Sequence, residues 1–186
     1  MAFYRGLGFF AALRDLSDRD LAERLAARHE DEWDEPLPPP ASLPPMPDIL
    51  VMTKDPDRAW WLDLECDALP ANDVYVDALR RLERISNGKF APEDPQEIWE
   101  ADESHATVSF ALGATRHEIP VRSGDGWFDA ALVSRVNDLI AGNRGAFCVV
   151  TPGDQTVVIL YLTDEERTLL AGRGVEAKTL TMELRR

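Results

Sequence analysis

Ala146-Phe147-Cys148-Val149-Val150-Thr151 and Gln155-Thr156-Val157-Val158-Ile159-Leu160-Tyr161-Leu162, joined through Pro152-Gly153-Asp154, decide the fold. Both runs are apolar on both faces, the pattern of strands at the centre of a sheet. Downstream, Thr163-Asp164-Glu165-Glu166 forms a capping box that opens a short helix through Leu169, Leu170 and Ala171, with Gly172 or Gly174 as its stop. Upstream, Phe128, Ala131, Leu132, Val136, Leu139 and Ile140 recur at helical spacing within Trp127 to Ala141, and Gly142 lies just past the end. Still further upstream, Ala106 to Leu112 alternates and Thr115 to Val121 returns. Gly113-Ala114 between them fits a two-residue hairpin turn. That turn sets Phe110 opposite His117 and Ala106 opposite Val121, so His105 and His117 point to opposite faces and share no site.

Three more segments precede this block. Glu97 to Glu103 reads as an edge strand. Asn72 to Ser86 is an amphipathic helix carrying Tyr75, Ala78, Leu79, Leu82 and Ile85 on one face, with Gly88 as its stop. Arg58 to Asp67 alternates, with Trp60, Leu62, Leu64 and Cys66 on one side and Trp61, Asp63, Glu65 and Asp67 on the other, which predicts a strand with one acidic face. Ile49 to Thr53 is a short apolar run of strand type. At the N-terminus Ser17 caps a helix with Asp20 as box partner, Leu21 and Leu25 stacked on one face, and an end near Glu30. The order is α-β-β-α-β-β-β-α-β-β-α, an α+β fold with a mainly antiparallel sheet and helices packed on one side. All of residues 1–186 form one domain, with 1–30 as a helical segment. Residues 31–48, with Pro36, Pro38, Pro39, Pro40, Pro44, Pro45 and Pro47, form an extended acidic connector strapped to the body.

Several chemistries lose their anchors. Gly6-Leu7-Gly8-Phe9-Phe10-Ala11 matches a dinucleotide-binding pattern, but only five residues precede it and no second parallel strand follows, so the glycines belong to an N-terminal turn or strand. Neither a G-x-S-x-G elbow nor a G-x-x-x-x-G-K-[ST] loop occurs. Counted as an EF-hand from Asp63, the loop needs Gly where Ala68 stands and Glu where Val74 stands. Cys66 and Cys148 are far apart and outside any C-x-x-C pair, which predicts free thiols and a cytoplasmic location. The longest apolar stretch, Gly6 to Leu13, is too short for a membrane span and lacks a convincing signal-cleavage site. No catalytic residue, metal or cofactor is assigned.

Charge is the strongest functional signal. Thirteen Asp and Glu lie between Glu30 and Asp77 against only Lys54 and Arg58, a local balance of −11 out of −14 for the whole chain. Such a surface attracts a basic protein and repels nucleic acid and anionic lipid. Arg80, Arg81 and Arg84 read as intramolecular counter-charge. Trp33 lies inside Asp31-Glu32-Trp33-Asp34-Glu35, and Trp61 falls on the acidic side of its strand. An aromatic ring framed by carboxylates suits a Lys or Arg of a partner. The expected contact residues are therefore Glu32, Trp33, Asp34, Trp61, Asp63, Glu65 and Asp67.

The acidic α+β pattern, with Trp60-Trp61-Leu62-Asp63-Leu64-Glu65, the stretch from Phe90 and Pro92 to Glu97-Ile98-Trp99, and the run from Asp154-Gln155 to Leu162-Thr163 and Glu166, resembles the small immunity proteins encoded beside bacterial polymorphic or contact-delivered toxins. The resemblance implies stoichiometric blocking of a toxin domain, with no cofactor and no turnover. Two alternatives stay open: an enzyme built on a carboxylate cluster, with or without a divalent ion, and an adaptor module whose acidity serves solubility.

Overall fold

The computed structural model describes residues 1–33, 46–70, 72–123, 126–152 and 155–180. In chain order the elements are α1 (Ala2–Gly6), a 3-10 turn (Ala11–Leu13), α2 (Asp18–Trp33), α3 (Met46–Thr53), β1 (Ala59–Asp63), α4 (Val74–Ile85), β2 (Glu93–Trp99), β3 (His105–Leu112), β4 (Thr115–Arg122), α5 (Ala131–Leu139), β5 (Gly145–Val150), β6 (Thr156–Thr163), α6 (Asp164–Ala171) and β7 (Lys178–Thr179). The class is α+β, and every strand pair is antiparallel.

The strands divide into two sheets rather than one: a four-stranded sheet in the order β1-β6-β5-β7 and a three-stranded sheet in the order β2-β3-β4. As their apolar character requires, β5 and β6 are covered on both faces. Phe147, Val149, Ile159 and Tyr161 enter a core completed by α4, α5 and the three-stranded sheet. Cys148, Val150, Val158, Leu160 and Leu162 enter a second core, closed by Tyr4, Leu21, Leu25, Ile49, Met52 and Leu170. Helices therefore lie against both faces of the larger sheet, not one, because the N-terminal segment and α6 supply the second layer.

The β3–β4 hairpin has the register that its turn dictates, with Phe110 opposite His117 and Ala106 opposite Val121. Ser17 caps α2 through Oγ, which accepts from Asp20 N at 3.1 Å. Thr163 and Glu166 complete the reciprocal box at α6. Gly6 ends a helix and Gly8 has φ +77°, so the glycine pattern is a helix-to-turn transition with no strand before it.

Two local readings are corrected. Ile49 to Thr53 belongs to α3, not to a strand. Pro47 stands in the first turn of that helix, where its missing N–H costs nothing, and Ile49 and Met52, three residues apart, are buried together. A run of five residues is too short to separate the two periods. The alternation from Arg58 onward is β strand only as far as Asp63, and its supposed acidic face begins with Trp61, which packs against the second core. Both sides of β1 bear apolar contacts, since Trp60 meets Phe128 edge to face at 6.0 Å between ring centres. Residues 34–45, which include most of the expected proline connector, lie outside the described part of the chain.

Candidate functional site

The acids from Asp48 to Asp77 fall into two groups. Asp48 Oδ1 accepts from Tyr4 Oη at 2.6 Å and pairs with Arg173 Nε at 2.8 Å. Asp55 is buried and accepts from the backbone N–H of Phe10 at 2.5 Å and, through its other oxygen, from that of Asp57 at 3.1 Å. Asp57 pairs with Arg84 at 2.5 Å and Asp77 with Arg80 at 3.1 Å, so these arginines do act as counter-charge. Those four carboxylates are engaged by the fold. Asp63, Glu65, Asp67 and Asp73 are exposed, and none forms an ion pair among the described residues.

Asp63, Glu65 and Asp67 stand on a segment that leaves β1 and is pinned by its backbone. Leu64 N donates to Gln155 O at 2.8 Å, Phe128 N to Leu64 O at 2.7 Å, Ala68 N to Gly126 O at 2.7 Å, and Ser123 Oγ to Ala68 O at 2.6 Å. Strand geometry stops because Asp63 Oδ1 turns back to accept from Glu65 N at 3.0 Å and Asp67 adopts φ +53°. Asn72 Nδ2 also donates to Asp67 O. Gly126, at φ +86°, lets the neighbouring loop lie against Asp67, whose Cα would be 3.5 Å from any Cβ placed there. Leu64 and Cys66 turn inward onto the first core while the three carboxylates face solvent. The result is an acidic rim on a fixed backbone. Glu65 Oε2 accepts from Gln155 Nε2 at 2.7 Å, which orients one of the three. Burial pushes the Cys66 thiol above its ordinary range, and Asp63 and Asp67 add to the shift.

Of the other expected contact residues, Trp61 turns away from this rim. Trp61 is half-buried against the second core, on the opposite side of β1 from Trp60. Glu32 and Trp33 end α2, and Asp34 lies outside the described residues.

A second cluster escaped the sequence reading. At the β2–β3 hairpin, Glu100, Asp102 and His105 bring one potential ligand atom each to within 4.8 Å of one another. Glu100 N donates to His105 O at 2.9 Å, closing the hairpin; Ser104 N donates to Asp102 Oδ1 at 3.1 Å, and Ser104 Oγ lies 2.7 Å from His105 Nδ1. Hydrogen bonds from Ser104 hold the Asp102 carboxyl below its usual range. The spacing Glu-x-Asp-x-x-His was present in the sequence, but a strand assigned through Glu103 hid the turn that gathers it. By contrast, Asp63, Glu65 and Asp67 do not form such a grouping among the described residues. His117 lies against Phe110 on the core side of the sheet, away from His105.

No family model, curated protein or solved structure matches the chain. The functional reading therefore rests on charge and geometry. Among the described residues no helix is long and apolar enough to cross a membrane.

Proposed function

We propose that this chain is a non-enzymatic binding protein that docks a basic protein partner on the acidic rim, in the manner of a toxin-neutralising immunity protein. One observation carries the reading: Asp63, Glu65 and Asp67 are exposed without a cationic partner among the described residues, on a segment whose backbone is already pinned to two loops. Acids scattered on mobile chain would serve solubility equally well. Carboxylates held on a fixed backbone lose less freedom on meeting guanidinium or ammonium groups. The overall charge of −14 steers a basic partner toward the protein and speeds encounter. A reducing compartment belongs to the same proposal, since both cysteines are free thiols.

Co-expression tests it. The product of the gene immediately upstream is induced in a heterologous bacterium with and without this chain, and survivors are counted. Relief of toxicity by the native chain, and loss of relief when Asp63, Glu65 and Asp67 are all replaced by Lys, is the expected outcome. Toxicity relieved equally by the charge-reversed chain overturns the rim as the docking surface. A harmless neighbour, or toxicity that the chain leaves untouched, overturns the immunity reading.

A further inference from the structure

His105 faces two features at once. On one side are the Glu100 and Asp102 carboxylates described above. On the other is a cavity of about 390 Å³ whose lining includes His105, Pro120, Arg122, Asp129 and Arg135. His105 stands opposite Arg122 in the β3–β4 register, so imidazole and guanidinium share one face of the sheet. Arg135 reaches the same cavity from α5. Neither arginine forms an ion pair among the described residues. Asp129, the one acid among the described residues of the lining, accepts at Oδ2 from the backbone N–H of Arg122 at 3.0 Å and at Oδ1 from that of Ala131 at 3.0 Å. In a chain with thirty-four acids and twenty Lys and Arg, a cavity whose described lining holds two arginines and one acid runs against the prevailing sign.

We infer that the β2–β3 hairpin is a divalent-metal site whose open coordination positions face this cavity, and that the ligand taken there is an oxyanion, phosphate being the simplest. One imidazole and two carboxylates form a mixed nitrogen–oxygen donor set suited to Zn²⁺ or Mn²⁺. Bonds of about 2.0–2.2 Å place the donors of a tetrahedral ion roughly 3.4 Å apart. Side-chain rotation of Glu100 and Asp102, both exposed, closes the distance from the present spread of up to 4.8 Å. Two carboxylates neutralise the ion. Three protein donors leave at least one position open beside His105, where the anion binds the metal with one oxygen and offers the others to the guanidinium groups of Arg122 and Arg135.

This site is separate from the acidic rim, and its test separates the two. The full chain is titrated calorimetrically with ZnCl₂ and with MnCl₂, alongside His105→Ala, Asp102→Asn and an Asp63→Asn/Asp67→Asn double variant, with circular dichroism confirming that each is folded. One saturable site is expected, weakened at least tenfold in His105→Ala and in Asp102→Asn and unchanged in the rim variant. Inorganic phosphate is then titrated into metal-loaded and metal-free chain; binding at least tenfold tighter in the loaded form, and weakened in Arg135→Ala, is expected. Absence of saturable metal binding, or metal binding indifferent to His105→Ala and Asp102→Asn, overturns the metal site. Loss in the rim variant instead assigns the ions to Asp63 and Asp67 and overturns it as well. Phosphate binding that ignores the metal, or does not occur, overturns the oxyanion assignment.

Discussion

Asn137 exchanges two hydrogen bonds with the backbone of Phe147: Phe147 N donates to Oδ1 at 2.8 Å, and Nδ2 donates to Phe147 O at 2.9 Å. The carboxamide of α5 thus behaves as one residue of a neighbouring strand. It is needed there because β7 pairs with β5 only at Cys148 and Val149, leaving Phe147 beyond the end of that ladder. Asn137→Ala leaves a buried N–H and a buried C=O without partners, and a cost of about 2–3 kcal/mol is expected from their desolvation. Asn137→Asp keeps the acceptor but loses the donor, so it is expected to be destabilised as well. Urea unfolding followed by circular dichroism measures both. A change below about 0.5 kcal/mol for the alanine variant, the range of ordinary surface substitutions, contradicts this account.

Buried phenols make the fold sensitive to base. Tyr75 Oη donates to Arg122 O at 3.3 Å and accepts from Asp129 N at 3.2 Å. Burial, with Asp129, Cys66 and Glu97 adding, pushes its pKa up to about 12 despite the hydrogen bond from Asp129 N. Burial and the Asp48 carboxylate raise Tyr4 as well. In the unfolded chain a tyrosine ionises near pH 10. Between pH 10 and 12 the folded state therefore holds more protons than the unfolded state, and stability falls as pH rises. The melting temperature is expected to be flat with respect to these phenols below about pH 9 and to decline above it. Tyr75→Phe should lower stability at neutral pH yet flatten the alkaline decline, and an undiminished slope in that variant contradicts the assignment.

What the sequence disclosed and what it concealed follow from the same physics. The β3–β4 register was legible because a two-residue turn at Gly113-Ala114 admits one pairing, and because a one-residue slip would expel Val108 and Phe110 from the core. The helix through Tyr75, Leu79 and Leu82 was legible because twelve residues are enough for a 3.6 period to show. At Ile49 to Thr53 the run is too short, and Pro47, last in a series of prolines, reads as connector rather than as the first turn of a helix. Trp61 was misplaced because alternation tells only that two sides exist; that the second side carries another core depends on α1, α2, α3 and α6 folding back over it. The rim was half legible. Its carboxylates were named from their spacing, yet they are gathered by an Asx turn and by hydrogen bonds to Gly126, Phe128 and Gln155, partners roughly sixty to ninety residues away.

Asp48 ties three helical segments together, joining Tyr4 of α1 to Arg173 just past α6 from its own place on α3. The Arg173 guanidinium also lies over the Phe3 ring, 4.6 Å from its centre. Asp48 is buried while Arg173 is partly exposed, so solvent screening trims the contribution of the pair. Asp48→Ala is expected to cost about 2 kcal/mol, from the stranded Tyr4 hydroxyl and the lost charge-assisted bond. Tyr4→Phe, which leaves the ion pair intact, should cost about 1–1.5 kcal/mol. A double-mutant cycle between the two positions checks the connection: coupling below about 0.5 kcal/mol is what independent sites give and would show that Tyr4 and Asp48 act separately.

The rim carboxylates can be read out through Cys66, with no partner in hand. Its thiol is half-buried between Asp63 and Asp67 in the chain, whereas Cys148 is fully buried within the second core. Alkylation requires the thiolate. Burial is the main reason the Cys66 thiolate is scarce, and the two negative charges make it scarcer. With iodoacetamide at pH 8, mass spectrometry should find slow modification at Cys66 and none at Cys148 while the chain stays folded. Replacing Asp63 and Asp67 together by Asn removes the charges and keeps the side-chain size, so Cys66 should react several-fold faster; raising the salt concentration should speed the native chain and leave the variant nearly unchanged, because screened charges repel a thiolate less. Equal rates in the native and Asn-substituted chains would mean that the carboxylates project away from one another and from Cys66. A rim dispersed in that way would not present the concentrated negative field on which docking of a basic partner depends.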